Sequence, residues 1–112
     1  MQRSLILDRA HLRSMTANDE SLMREITSEL VNSTARQIAL LYRAVEESDL
    51  QACKGLAHES RGVCAMVGAA AMAGLFRAIE LQATHDDLSG CRSSLQQLCV
   101  ALAEFRCEAI SS

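Results

Sequence analysis

Apolar residues recur along the chain at intervals of three and four, the period of an α-helix that buries one face. Leu5 to Met15 forms a short amphipathic segment, expected as a small helix across one end of the fold. Asn18 and Asp19 then offer a helix cap, and Leu22, Ile26, Leu30, Thr34, Ile38, Leu41 and Val45 form the stripe of one long helix. Ser48-Asp49 closes it and caps a second, about Asp49 to Met66, with an inward stripe of Leu50, Cys53, Ala57, Ser60, Cys64 and Val67. Gly68 breaks the chain before a third helix, Ala69 to Thr84, carrying Met72, Leu75, Phe76 and Ile79 inward. The polar turn His85-Asp86-Asp87 leads to the last helix, with Leu88, Cys91, Leu95, Leu98, Leu102, Phe105 and Ala109 on its stripe. Four amphipathic helices joined by short turns predict an all-α, antiparallel up-down four-helix bundle with a short N-terminal helix, one domain over residues 1–112.

Composition agrees with that pattern. The 112 residues hold no Pro and only 3% aromatics, whereas a chain of this length at average usage would carry roughly five or six prolines. This excludes a β-sandwich, a disordered tail and an α/β nucleotide-binding domain of ordinary size. Eleven basic against 14 acidic residues give a formal net charge of −3 without a block of like charges, so neither a nucleic acid nor an anionic membrane is expected as partner. No apolar run reaches the roughly 18 residues of a membrane span, and Arg3, Asp8, Arg9 and Arg13 interrupt the amino terminus where a signal core would be apolar. A cytoplasmic protein is expected. The five cysteines, Cys53, Cys64, Cys91, Cys99 and Cys107, are odd in number and contain no Cys-x-x-Cys pair. They read as reduced thiols, mostly small core residues, with Cys107 the most exposed.

One feature does not follow from packing. Gly55 and Gly62 lie inside the second helix, where each costs about 1 kcal/mol relative to Ala. On the helix surface Lys54, Gly55, His58, Arg61, Gly62 and Ala65 share one side, turned away from the core stripe. A histidine thus stands between two glycines that clear space for a close approach, with a cation one turn to either side. Neutral imidazole is a nucleophile, a helix interior is a rigid mount, and Lys54 and Arg61 supply positive charge where a phosphoryl group on the ring would sit.

These residues resemble the histidine-containing phosphotransfer (HPt) domain of multistep phosphorelays and hybrid sensor kinases. The resemblance rests on Ala57-His58-Glu59-Ser60-Arg61-Gly62, on Gly68-Ala69 ten residues after the histidine, and on Ile79-Glu80 late in the next helix. Asp19, Leu22 and Asp49-Leu50 extend it upstream, so that it covers about residues 5 to 107. It implies a bundle whose exposed His58 accepts a phosphoryl group, through Nε2, from an aspartyl phosphate of one response-regulator receiver domain and passes it to an aspartate of another. Arg61 stands where the family has Lys beside the phosphate, and Gly62 where the receiver packs closely. No cofactor or metal is implied for this chain, since magnesium in such transfers belongs to the receiver. Ser60 replaces an apolar residue of the family, and its hydroxyl is expected to bond back to a backbone carbonyl one turn earlier.

Leu56, Val63, Ala65 and Met66, with Ala73 and Arg77 of the third helix, are expected to form the receiver-docking surface around Gly55, His58 and Gly62. Glu59 points about 100° away from His58 and is assigned no general-base work; His11 and His85 are assigned no site. Without a nucleotide-binding motif, the chain is expected not to phosphorylate itself from ATP. It is read as a free-standing protein or as the cytoplasmic carboxyl-terminal domain of a membrane-bound hybrid kinase. Two other function classes compete: a helical interaction module that never uses the histidine, and a thiol-based redox or metal sensor.

Overall fold

The computed structural model describes residues 5–110; Arg3, one of the charges interrupting the amino terminus, lies outside them. The chain forms five helices: α1 (Arg9–Thr16), α2 (Glu20–Glu46), α3 (Leu50–Val67), α4 (Ala70–Thr84) and α5 (Leu88–Ile110). No strand occurs among the described residues. The four long helices pack in a cycle, α2 on α3, α3 on α4, α4 on α5 and α5 on α2, while α1 lies against α2.

Aspartates set most of the starts. Asp8, Asp19 and Asp49 each accept a hydrogen bond from the backbone N–H three residues on, at 3.1, 3.1 and 3.0 Å. Asp87 does the same for Gly90 at 2.8 Å. Each carboxylate satisfies an orphan amide at a helix N-terminus, where negative charge is favourable. α4 has no such side chain, because its cap is the buried Ala69. Its orphan amide at Ala71 is met by the Leu5 carbonyl, 2.6 Å away.

That bond corrects the expected first helix. Leu5 to Asp8 is not helical; it forms a strap across the α3–α4 turn, with Leu7 buried and the Asp8 amide donating to the Gly68 carbonyl at 2.9 Å. Helix begins only at Arg9, because the Asp8 side chain is used as a cap and the backbone ahead of it bonds to another element. Gly68 sits in the left-handed region at φ 92°, and a Cβ there would come within 3.2–3.3 Å of Asp8 and His11. Any side chain would be doubly disfavoured, by backbone strain and by the strap above it. His11 adds a third tie, its Nε2 donating to the Met66 carbonyl at 2.7 Å.

The core is built from the expected stripes, with differences at their ends. Leu30, Thr34, Ile38, Leu41 and Val45 of α2 are buried, but Leu22 is exposed and Ile26 only half-buried. At about 1.5 Å per residue, the 27 residues of α2 outrun the 18 of α3, so Leu22 and Ile26 face only the last turns of α3 across an open groove. Leu50, Leu75, Leu88 and Ala109 are likewise half-buried at the core's margin. Ser60 departs from expectation too: its hydroxyl accepts a hydrogen bond from Gln37 Nε2 of α2 at 3.0 Å. A neighbouring helix supplies the partner expected from the serine's own helix.

Cys53, Cys64 and Cys91 are buried, Cys99 is half-buried and Cys107 exposed, all unbridged. Burial pushes the Cys64 and Cys91 thiols up to about 11 from 9.0. A raised native pKa means that the fold retains protons the unfolded chain releases. The stabilisation is therefore complete below about pH 9 and is lost as pH rises toward about 11. We expect the urea midpoint to fall over that interval. At neutral pH, a thiol reagent should modify Cys107 at once and the three buried thiols only after denaturation; rapid modification of all five would contradict this packing.

Candidate functional site

α3 presents His58 at mid-length on the side opposite its buried face of Cys53, Ala57, Ser60 and Cys64. The imidazole is 65% exposed. Gly55 and Gly62 lie one turn before and after it, and a Cβ at either would meet nothing within 4 Å. Neither glycine is there to avoid a clash within the domain. Gly74 of α4 is equally open and mid-helix; the signal that singled out the other two, glycine inside a helix, marked it as well.

The decisive contact crosses from α3 to α4. His58 Nδ1 lies 2.7 Å from Glu80 Oε2. Arg61 completes the group: its Nε is 3.1 Å from Glu80 Oε1, and its Nη2 is 3.2 Å from His58 Nδ1. One ring nitrogen cannot donate to the carboxylate and accept from the guanidinium at once. The shorter, charge-assisted bond decides: Nδ1 carries the proton and donates it to Glu80. Nε2 is then left with its lone pair, and it has no hydrogen-bond partner among the described residues. The packing that brings Glu80 here is the α3–α4 pair, with Ile79 next to it in the core and Glu80 itself only 19% exposed.

The remaining sequence-predicted residues divide by helix face. Lys54 is exposed, one turn before His58, and holds no ion pair among the described residues. Ala65, Met66 and Arg77 are exposed as expected. Leu56 and Ala73 are half-buried against the core. Leu56 and Val63 are rotated about 160° and 140° from His58, toward α2, where Val63 lines an apolar groove with Leu22, Ile26, Leu30 and Val67. These two residues therefore do not surround the histidine. Glu59 makes no contact with the ring, whereas Glu80, 22 residues away, does. Sequence reasoning had Glu80 only as part of a motif, without a role.

A family model, the Hpt domain, matches residues 25–107. The chain belongs to the Hpt domain family. Hpt domains are phosphocarriers in phosphorelay signalling that exchange phosphoryl groups with receiver domains, and this chain is a histidine phosphotransfer domain of that kind. The crystal structure of histidine-containing phosphotransfer protein B (HptB) from Pseudomonas aeruginosa PAO1 is similar at a TM-score of 0.86, with 23% identity over 94% of this chain and 91% of that one. At that identity the likeness is one of fold. No curated protein matches the sequence. The α1 strap and the start of α2 precede the matched region, so the Hpt match covers α3, α4 and the Glu80 contact while leaving out the segment that ties down their turn. No helix of this Hpt domain, among the described residues, is long and apolar enough to cross a membrane, and no three His, Cys, Asp or Glu side chains come together as a metal site.

Because a Cβ at Gly55 or Gly62 meets open space, Ala at either position should stabilise the isolated domain, by up to about 1 kcal/mol each from helix propensity. Chemical denaturation checks this. A loss of stability would mean that the glycines serve the fold rather than an approaching partner.

Proposed function

We propose that His58 is the phospho-accepting residue of this domain and that it reacts through Nε2. The observation that carries the reading is the 2.7 Å bond from Nδ1 to Glu80, which puts the proton on one nitrogen and the lone pair on the other. In the forward step the Nε2 lone pair attacks the phosphorus of a receiver's aspartyl phosphate. The bond from phosphorus to the aspartate oxygen breaks, and the carboxylate leaves with the electron pair. The ring then carries a positive charge, which Glu80 stabilises through the Nδ1–H, as a carboxylate stabilises imidazolium in a catalytic triad. Transfer onward is the same step reversed: an aspartate of the next receiver attacks phosphorus and the ring leaves neutral. Protons balance throughout, because the Nδ1 proton never has to depart.

The surroundings support the same reading. Lys54 and Arg61 supply positive charge around the ring, and the open positions at Gly55 and Gly62 let a receiver's backbone come close. Ala65, Met66 and Arg77 continue that docking surface. Connections of two or three residues between the long helices support an antiparallel up-down bundle, which keeps α3 and α4 side by side. The domain acts in the cytoplasm without ATP-dependent kinase activity of its own.

Mixing the domain with a receiver phosphorylated by a small-molecule donor should place acid-labile, base-stable phosphate on the wild type and none on His58→Gln. Equal labelling of the variant, or none on the wild type with a cognate receiver, would overturn the assignment and favour an interaction module that leaves the histidine idle. Gly62→Leu should fold normally yet accept phosphate roughly tenfold more slowly or worse, since misplacement of this order obstructs a reactive encounter. Transfer at the wild-type rate would remove the argument for close approach over Gly62.

A further inference from the structure

The residue expected beside the phosphate does not sit there. Arg61 Nε is shut off from solvent and lies 3.1 Å from Glu80 Oε1, an ion-pair contact off the straight hydrogen-bond line. Its Nη2 lies against His58 Nδ1, not against Nε2. The guanidinium is thus spread along the inner edge of the imidazole, between α3 and α4, with its side chain only 36% exposed.

We infer that Arg61 is a positioning residue: it clamps the Glu80 carboxylate so that Oε2 meets the Nδ1–H of His58, and the cation left for the phosphoryl group is Lys54. This rests on His58 reacting through Nε2, as proposed above.

Three observations carry it. Glu80 is four-fifths buried, so its charge needs a partner within the protein; Arg61 places Nε on one oxygen while His58 takes the other. The flat guanidinium fits edgewise between the carboxylate and the ring, with Nε on Glu80 Oε1 and Nη2 held 3.2 Å from Nδ1 as a close approach of two donors rather than a bond, a shape that the ammonium of a lysine does not share. Finally, Lys54 is exposed and unpaired one turn from His58, free to swing toward charge that arrives on Nε2. Arg and Lys at position 61 are therefore not equivalent in this domain, although both preserve the charge.

The test separates positioning from phosphate binding by reading the ring itself. Imidazole nitrogen NMR on the unphosphorylated 112-residue chain reports which nitrogen of His58 holds the proton. The wild type should show mainly the Nδ1–H form. Arg61→Lys should shift that balance toward Nε2–H and slow loading from a phosphorylated receiver roughly tenfold. Combining it with Glu80→Gln should slow loading little further than Glu80→Gln alone, because the two residues act as one unit. Lys54→Gln should slow loading without moving the tautomer balance, and its effect should multiply with that of Glu80→Gln. A slow Arg61→Lys with the wild-type tautomer balance would make Arg61 a phosphate contact and overturn the inference. So would faster loading, which would mean that Arg61 donates to Nδ1 in the resting protein, or unchanged loading. Denaturation of each variant confirms that the fold is intact. Failure of the underlying reading would show differently, as persistent labelling of His58→Gln.

Discussion

A single hydrogen bond between neighbouring helices, from His58 of α3 to Glu80 of α4, decides what the imidazole can do. It selects one tautomer of two, and only that tautomer presents a lone pair at the exposed nitrogen. Drawing the two helices apart by about an ångström along this bond would stretch 2.7 Å past the useful range of a hydrogen bond. The rest of the fold can be understood as the means of holding α3 and α4 in register. Phe76 and Ile79 of α4 lock into the core beside Cys53, Ala57 and Cys64 of α3, and small inward residues on α3 let the neighbouring helices come close.

The joint between the two helices is correspondingly constrained. Only Gly68 and Ala69 separate them, one in a left-handed conformation and the other fully buried. Three ties from the amino-terminal segment fall on this turn: the Leu5 carbonyl on Ala71, the Asp8 amide on Gly68, and His11 on Met66. On the other side of α1, the Arg9 guanidinium donates to the Glu108 carbonyl, fastening the strap to the far end of α5. The turn that joins the two helices of the site is braced from outside.

Most of the architecture was legible because helices carry their own period. The stripes of α2 to α5, the aspartate caps and the Gly68 stop needed only local information, and they placed His58 on the outside between two glycines with no packing function. What escaped was non-local. Nothing in the spacing of His58 and Glu80 says that 22 residues of helix, turn and helix return the carboxylate to the ring. The same holds for Arg61: its charge was legible, while its direction depends on Glu80. Ser60 found its partner on another helix for the same reason, and Leu5 to Asp8 failed to continue the helix because its backbone groups were wanted elsewhere. Val63 and Leu56 were misplaced by a different route, in that nearness in sequence to His58 is not nearness around a helix.

The braced turn links the site to the chain ahead of it. Leu5 is bonded to the first turn of α4, the helix that holds Glu80, and His11 to the last turn of α3, the helix that holds His58. The strap therefore grips the helices of both His58 and Glu80 at their shared end, like a hand across the base of a pair of tongs. A displacement of residues 5–11 would reach the His58–Glu80 distance through two stiff helices rather than through a flexible loop, which ties that distance to a segment lying ahead of the region matched by the Hpt family model.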